Sequence, residues 1–148
     1  MTEMESARAK VGQCVCGSVR KAARAITKIY DDALRPAGLR ITQLGILGVA
    51  IRMEPVTISQ LAEATITDRT TLTRNLKLLE RKKFIRIQPG ADQREREIRV
   101  TTRGREALSL AYPIWKETQD RVIKELGEDR WDLLREGLAA VTSLAKED

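Results

Sequence analysis

The hydrophobic pattern of this chain changes its period at about residue 84 and changes back at about residue 102. Up to that first point apolar residues recur every three or four positions, as on one face of an α-helix. Over residues 84–89 and 96–101 apolar and polar residues alternate, as in strands with one buried face. The helical spacing then returns. This order restricts the chain to a mainly α fold with one small β-hairpin.

Six helices are predicted around the hairpin. They cover about residues 8–34, 42–53, 58–64, 68–83, 102–126 and 128–145. Thr42 and Thr102 are the expected caps of the second and fifth helices, and Thr57 with Gln60 forms a capping box before the third. Pro113 falls inside the fifth helix and predicts a kink there.

Length and composition place the chain among small globular proteins. The 148 residues fit one domain, expected over residues 1–148, and with 3% aromatic residues its core must be built from Leu, Ile, Val and Ala. No stretch approaches the roughly 18 apolar residues of a membrane span, so no membrane association is expected. The start, MTEMESARAK, has no apolar run, and two cysteines form no disulfide framework. The expected compartment is the cytoplasm.

Positive charge is concentrated in one part of the chain. Residues 69–99 contain ten basic and four acidic residues, an excess that equals the net charge of +6 of the whole chain. A local excess of this kind indicates a polyanionic partner such as nucleic acid. A solvated helix face is the alternative interpretation.

The third and fourth helices, joined by a short turn, predict a helix-turn-helix. At 100° per residue Leu72, Leu76 and Leu79 share one face of the fourth helix, and Arg74 and Lys77 lie on the opposite face. Such a helix can bury its leucines and present its polar face to a major groove, unless it is an ordinary amphipathic surface helix. The candidate DNA-contacting residues, including two from the hairpin, are Arg69, Thr70, Thr71, Thr73, Arg74, Lys77, Arg94 and Arg96.

The hairpin supports the DNA-binding interpretation. Its polar tip carries Asp92-x-Arg94-x-Arg96, and an arginine on a thin β-ribbon can enter a narrow minor groove, where the potential is most negative. Asp92 could hold Arg94 extended. The alternative is a solvated turn with incidental charges.

These motifs together resemble the multiple antibiotic resistance regulator (MarR) family of winged-helix proteins. The resemblance rests on ISQLAEATITDRTTLTRNLKLLERKKFIRI, the hairpin DQREREIRV and the following TTRG, with supporting flanks DDALRPAGLRITQLGIL and YPIWKETQ. It extends over about residues 11–144, with Lys83 and Thr101 standing where many members have Gly and Leu. It implies a winged helix-turn-helix lobe, here residues 42–101, in which Arg94 enters the minor groove.

The resemblance also implies an obligate homodimer joined by the first, fifth and sixth helices, here residues 8–35 and 102–146. The apolar stripes of these helices exceed what the small lobe can cover. The interface candidates are Val11, Val15, Leu126, Trp131, Leu134 and Leu138. A two-fold dimer predicts a pseudo-palindromic site on double-stranded DNA.

The family relationship implies regulation by a small ligand or by cysteine oxidation. We expect a repressor released by a small aromatic or anionic effector, bound where the long helices meet the lobe, with Arg20, Tyr30 and Trp115 as candidate wall residues. The alternative is a redox sensor, because Cys16 lies where the organic-hydroperoxide-sensing branch places its reactive cysteine and Tyr30 matches one of the tyrosines that bond that thiol. The second tyrosine position is Ile41 here, and no distal resolving cysteine follows.

Other interpretations of the cysteines and of the whole chain stay open. Cys14 and Cys16 are otherwise small packing residues, and as i and i+2 positions of one helix they would lie about 200° apart, facing neither each other nor one metal. With no histidine, and no nucleotide-binding or nucleophile motif, neither an enzyme, a metal site nor a cofactor is expected. A winged-helix module for protein contacts is the remaining class, and binding to random DNA would distinguish it.

Overall fold

The computed structural model describes residues 1–145, in which seven α-helices surround a small antiparallel sheet. The elements are α1 (Glu3–Val11), α2 (Val15–Leu34), α3 (Ile41–Met53), β1 (Val56–Thr57), α4 (Ile58–Thr65), α5 (Arg69–Arg81), β2 (Ile85–Pro89), β3 (Arg96–Val100), α6 (Thr102–Leu126) and α7 (Glu128–Leu144). A 3₁₀ turn, Arg35–Ala37, joins α2 to α3. No helix within these residues combines the length and apolarity needed to cross a membrane.

The lobe formed by α3, α4, α5 and the sheet contains most of the core. The strand order is β1-β3-β2, and Ile98 of the central strand lies opposite Val56 on one side and Ile87 on the other. Fully buried leucines of three helices pack against this sheet: Leu47, Leu61, Leu72, Leu76 and Leu79. The predicted mainly α fold with a β-hairpin wing is confirmed, and the wing consists of β2, β3 and the loop of residues 90–95 between them.

The first helix differs from its prediction, which raises the helix count from six to seven. The expected helix over residues 8–34 is broken at Gly12–Cys14, where α1 ends in tight i→i+3 bonds such as the Cys14 N–H to the Val11 carbonyl (3.1 Å). Cys14 then adopts an extended ψ of 126°. The hydrophobic pattern does not predict this break, because Val11 and Val15 keep helical spacing across it.

Several ends of elements also differ from prediction. α3 starts at Ile41, whose N–H donates to the Asp31 carboxylate (2.8 Å), and not behind Thr42. α6 is capped by Thr101, whose Oγ1 accepts from the Gly104 N–H (3.0 Å), and not by Thr102. α5 is three residues shorter than expected, and the two-residue β1 was not expected. Position 146, the predicted end of the last segment, lies outside the described residues.

The long helices leave apolar surface uncovered. α6 packs on α2 and α7 and continues through Pro113, but neither α1 nor α7 has a buried residue. Exposed apolar side chains on α1, α2 and α7 include Met4, Val11, Val15, Ile26, Ile29, Leu133, Leu134, Leu138 and Val141. The single protomer therefore carries helices whose packing it does not complete.

Candidate nucleic-acid interface

Helix α5 presents the polar face that its sequence predicts. Leu72, Leu76 and Leu79 are buried in the lobe, while Arg74 and Lys77 on the opposite face are exposed. The leucines fix the helix against α4 and the sheet, so the polar face has a defined orientation at the surface.

The start of α5 is fixed by Asp68. The Asp68 carboxylate accepts the Thr71 N–H (2.9 Å), which is the standard N-cap bond. The hydrogen bonds from Thr71, with a smaller contribution from the positive charge of Arg74, hold the pKa of the Asp68 carboxyl below its ordinary value. At neutral pH the cap is therefore ionised, and the negative charge also suits the positive end of the helix.

Five of the predicted DNA-contacting residues surround one shallow concavity of about 450 Å³ on α5. They are Arg69, Thr70, Thr73, Arg74 and Lys77. Within residues 1–145 none of the three basic side chains forms an ion pair. The face thus offers free guanidinium and ammonium groups beside two threonine hydroxyls, the donor set that base edges and phosphates accept.

Thr71 is the exception among the predicted residues of α5. It is exposed but does not line this concavity, and its N–H is already bonded to Asp68. Its carbonyl accepts from the Asn75 side-chain amide (3.2 Å). The structure therefore gives Thr71 a local role at the helix start, and its side chain stays a predicted contact only.

Helix α4 and the turn position α5 on the surface of the lobe. The predicted capping box is present, since Thr57 Oγ1 accepts the Gln60 N–H (3.1 Å) and Gln60 Oε1 accepts the Thr57 N–H (3.0 Å). The turn passes through Ile66, which adopts a left-handed φ of 48° and is half exposed. The left-handed backbone at Ile66 reverses the chain direction sharply, so that α5 begins only three residues after α4 ends.

The tip of the wing places two predicted arginines in solvent. Arg94 and Arg96 are exposed, and neither forms an ion pair in the described chain. Asp92 acts differently from the expectation that it holds the Arg94 side chain. Its carboxylate accepts the backbone N–H of Arg94 (3.1 Å), and its carbonyl accepts the N–H of Glu95 (2.9 Å). Asp92 therefore fixes the backbone of the turn and leaves the Arg94 side chain free.

The three candidate effector residues do not line one cavity of the protomer. Tyr30 is buried, its hydroxyl donates to the Gln119 side chain, and burial raises the pKa of that hydroxyl. Trp115 is half-buried and stacks on Tyr112, with ring centroids 5.7 Å apart. Arg20 is exposed ten positions before Tyr30 on α2, about 15 Å along the helix at the usual rise per residue.

A different cavity lies at the junction of α2 with the lobe. It has a volume of about 710 Å³, and its charged lining residues are Arg24, Lys28, Asp31, Asp32, Arg35, Arg40 and Lys82. Asp32 pairs with Lys28 (2.6 Å) and Arg35 (2.7 Å), and Asp31 accepts the Ile41 N–H. The spacing of these residues along the chain does not reveal the cavity, because the turn after α2 brings them together.

Cys14 and Cys16 are free and exposed at the start of α2. Because Cys14 precedes the helix as its N-cap, the helical angle expected between the two residues does not apply. This exposure is that of the single protomer, in which Val15 between them is also uncovered, so the interpretation as packing residues stays open. Across residues 1–145 no three His, Cys, Asp or Glu side chains are grouped as metal ligands.

Comparison with known proteins places this geometry among transcriptional regulators. Residues 37–95 match the sequence model of the MarR family. The curated transcriptional regulator SarZ of Staphylococcus epidermidis is 35% identical over 90 residues, 60% of this chain. The matching region spans 61% of that relative's length, less than two thirds of it.

Solved structures extend the comparison to almost the whole chain. The transcriptional regulator MosR of M. tuberculosis, solved in complex with DNA, superposes with a TM-score of 0.82 at 39% identity, over 90% of this chain and 97% of MosR. MarR of E. coli superposes with a TM-score of 0.69 at 19% identity, over 86% of this chain and 96% of MarR, which shows the shared fold.

Proposed function

The chain belongs to the MarR family of winged-helix transcriptional regulators, and on that premise we propose that it is a sequence-specific DNA-binding regulator that acts as a homodimer. The observation that carries the proposal is the polar face of α5, whose basic side chains form no ion pair within residues 1–145. This face lies on a helix-turn-helix and is followed directly by a wing with an exposed arginine at its tip.

In this proposal the two elements bind different grooves of double-stranded DNA. Helix α5 enters the major groove, where Thr70 and Arg74 contact base edges and Arg69 and Lys77 hold phosphates. Arg94 enters the neighbouring minor groove. Thr71 and Thr73 near the start of α5, and Arg96 at the base of the wing tip, are further candidate contacts. Eight residues are therefore proposed to contact DNA: Arg69, Thr70, Thr71, Thr73, Arg74, Lys77, Arg94 and Arg96.

The uncovered apolar faces of α1, α2 and α7 support the dimer. Val11, Val15, Leu134 and Leu138 are exposed in the protomer, although apolar patches of this extent usually mark an interface. A two-fold dimer would present two α5 helices to successive major grooves, so the target would be a pseudo-palindrome. Absence of enzymatic activity and of a cofactor, and a cytoplasmic location, belong to the same proposal.

The test of DNA binding is its dependence on salt. Several basic side chains per protomer would displace counterions, so we expect the logarithm of affinity to fall steeply with the logarithm of salt concentration, with a slope of roughly −0.9 for each phosphate neutralised. Fluorescence anisotropy on random-sequence and selected duplexes measures this slope. Lys77→Gln should make the slope less steep, whereas Lys124→Gln at the far end of α6 should not. A flat response on every duplex would overturn the proposal and favour a protein-contact module.

Release by a small anionic or aromatic effector is proposed as the signal. The junction cavity supports it, because Arg24 and Arg40 line the cavity without an ion pair within residues 1–145 and could hold an anion. A ligand there would act through its different affinity for two spacings of the recognition helices. Arg20, Tyr30 and Trp115 stay candidate wall residues only for a site completed by a second protomer.

Thiol sensing through Cys16 is the second candidate signal, and it is supported by the free thiol of this residue, which is exposed in the single protomer. Treating the DNA-bound protein with peroxide, and separately with aromatic acids, distinguishes the two. The ligand proposal expects release by an acid in both the wild type and Cys16→Ser. Release by peroxide that disappears in Cys16→Ser would replace it with redox sensing.

A further inference from the structure

The outer face of the wing carries an unfavourable pair of like charges. Arg86 on β2 and Arg99 on β3 are directly opposite each other in the strand register, and both are exposed. Their neighbours Ile85 and Ile98 are buried on the inner face, so the two arginines share the outer one. Like charges at opposed positions of an antiparallel pair destabilise the sheet. The face is therefore charged for a reason other than the stability of the wing.

A third arginine adds to this pair. Arg86, Arg99 and Arg103 are the charged side chains around a concavity of about 450 Å³, which is completed by Gln88, Val100, Thr101 and Thr102. The Arg103 guanidinium lies 6.0 Å from the centre of the Phe84 ring, which places it beside the base of the wing. The concavity also adjoins the start of the 25-residue helix α6, whose dipole adds positive potential.

Three carboxylates lie near this face, and two of them are bonded to other groups. Glu54 accepts the Val100 N–H (2.6 Å) and pairs with Arg105, and Glu80 accepts the Ile87 N–H (3.3 Å). Within residues 1–145 the ion pair formed by these arginines is the contact of Arg99 with Glu97, at 3.8 Å and with Arg99 half exposed. A contact of that length at the surface neutralises little charge. Two guanidinium groups thus remain unpaired, and guanidinium is the group that binds phosphate oxygens with paired hydrogen bonds.

We propose that the outer face of the wing is a second DNA-binding surface, which holds the phosphate backbone of the DNA that flanks each half-site. This inference rests on the proposed function. The inner face of the wing packs against the lobe that carries α5, and the outer face points the opposite way. With α5 in the major groove and Arg94 in the next minor groove, the outer face meets the backbone beyond the wing.

The experiment compares two duplexes with the same selected site. One ends at the outer edges of the half-sites, and the other continues for about ten base pairs, one helical turn, on each side. Anisotropy titrations over a range of KCl concentrations give the affinity and the salt slope for each. For the wild type we expect the longer duplex to bind about tenfold more tightly, with a slope steeper by roughly 2 to 5 for the dimer, because up to three more phosphates per protomer are neutralised.

The test variant is Arg86→Gln/Arg99→Gln/Arg103→Gln. It should bind the short duplex within about twofold of the wild type and lose the gain on the longer one, while the corresponding Arg→Lys variant should keep part of it. The matched control, Arg121→Gln/Lys124→Gln/Arg130→Gln, removes as many charges from the far end of α6 and from α7 and should keep the whole gain. Thermal unfolding of Arg86→Gln at low salt should occur at or above the wild-type temperature, because it relieves the like-charge pair.

Each result decides a different point. If the wild type does not bind the short duplex, the proposed function fails. If it binds but gains nothing from the flanks, only the second surface is overturned. If the test variant loses the same affinity on both duplexes, these arginines contact the half-site itself. If it binds both duplexes as the wild type does, the outer face does not contact DNA and an acidic protein becomes its expected partner. Either outcome overturns the inference, as does an Arg86→Gln variant that unfolds well below the wild type.

Discussion

Gly104 permits the close approach of α6 to the end of α5. A Cβ at this position would lie 2.1 Å from the Phe84 carbonyl oxygen, which already accepts the Thr101 N–H (3.0 Å). The Phe84 backbone cannot move aside as the end of a flexible side chain can, and the Val100 side chain is also close, with its Cγ1 2.9 Å from the same Cβ position. We therefore expect Gly104→Ala to lower the free energy of unfolding by about 3 kcal/mol, as overpacking does in well-packed regions.

Gly45 on α3 is the matched control for this prediction. A Cβ there would meet nothing within 4 Å, so Gly45→Ala should gain about 0.5–1 kcal/mol from the higher helix propensity of alanine. Urea unfolding of both variants at one protein concentration measures the difference. Similar effects of the two substitutions would show that the packing at Phe84 is not as tight as described.

Lys83 ends α5 in a conformation that suits glycine better. Its φ is 61°, and the bonds from the Lys83 N–H to Glu80 and from the Phe84 N–H to Leu79 form a Schellman motif. A residue with a Cβ in the left-handed conformation destabilises the folded state by about 1–2 kcal/mol. Glycine avoids this strain, but it also gives the unfolded chain more conformational freedom, which offsets part of the gain in stability. We expect Lys83→Gly to raise the free energy of unfolding by about 0.5–1 kcal/mol.

Lys83→Ala separates the backbone effect from the loss of the charge. It removes the same ammonium group and keeps the strained φ, so its stability should stay near that of the wild type. A glycine variant no more stable than the alanine variant would mean that the backbone of this turn is unstrained.

The recognition helix and the wing should contribute differently to specificity. Arg74 is on the major-groove face of α5 in our proposal, and Arg94 is at the wing tip, where readout distinguishes mainly A·T from G·C. We expect Arg94→Ala to weaken binding by about 1–3 kcal/mol and to relax base preference at the edges of the site. Arg74→Ala should instead change preference within each half-site.

Specificity profiling of both variants against one randomised library measures this difference, with the wild type profiled in parallel. If the two variants lose preference at the same base positions, the assignment of one groove to each element is wrong.

The elements that the sequence predicted well depend on local signals. The α4 capping box, the leucine face of α5 and the alternating pattern of β2 and β3 are each contained within a few adjacent residues, and the structure has all of them. The strand β1 could not be predicted in this way. Its two residues are extended because Val56 pairs with Ile98, which is 42 positions away.

In the candidate site, too, residues on a single helix could be predicted, and residues that several elements bring together could not. Periodicity on one helix placed Thr70, Arg74 and Lys77 on one face, and Arg69 was a further candidate at the helix start. The structure places all four around one concavity. Their contact with DNA stays a prediction. The effector site depends on how α2, α6 and the lobe pack together, which spacing along the chain does not encode. The distance of about 15 Å between Arg20 and Tyr30, in contrast, follows from their spacing on one helix. The like-charge pair of Arg86 and Arg99 needed the strand register to be recognised.

For the whole molecule, the uncovered face of α7 is the strongest argument for a dimer. Leu134, Leu138 and Val141 lie on one stripe and are 39–45% exposed in the protomer. If a second protomer covers them, Leu138→Asp should leave the protomer fold intact, shift the protein to monomer and weaken DNA binding at least tenfold. Ala140→Asp adds the same charge away from the stripe and should change neither property.

Analytical ultracentrifugation and anisotropy measure these two properties, and circular dichroism checks the fold. Removal of residues 127–148 should have the same effect as Leu138→Asp, because an obligate interface on the order of 2,000 Å² cannot lose its main helix. A stable dimer of full DNA affinity after that truncation would refute the assignment of α7.

The central claim is that two copies of this chain read two major grooves with α5. Selection of bound duplexes from a random pool tests it most directly, because the enriched motif gives symmetry and spacing together. We expect two inverted half-sites whose centres are about one helical turn, roughly 10 base pairs, apart. Enrichment of a single asymmetric half-site by a protein shown to be dimeric, or no enrichment at all, would contradict it.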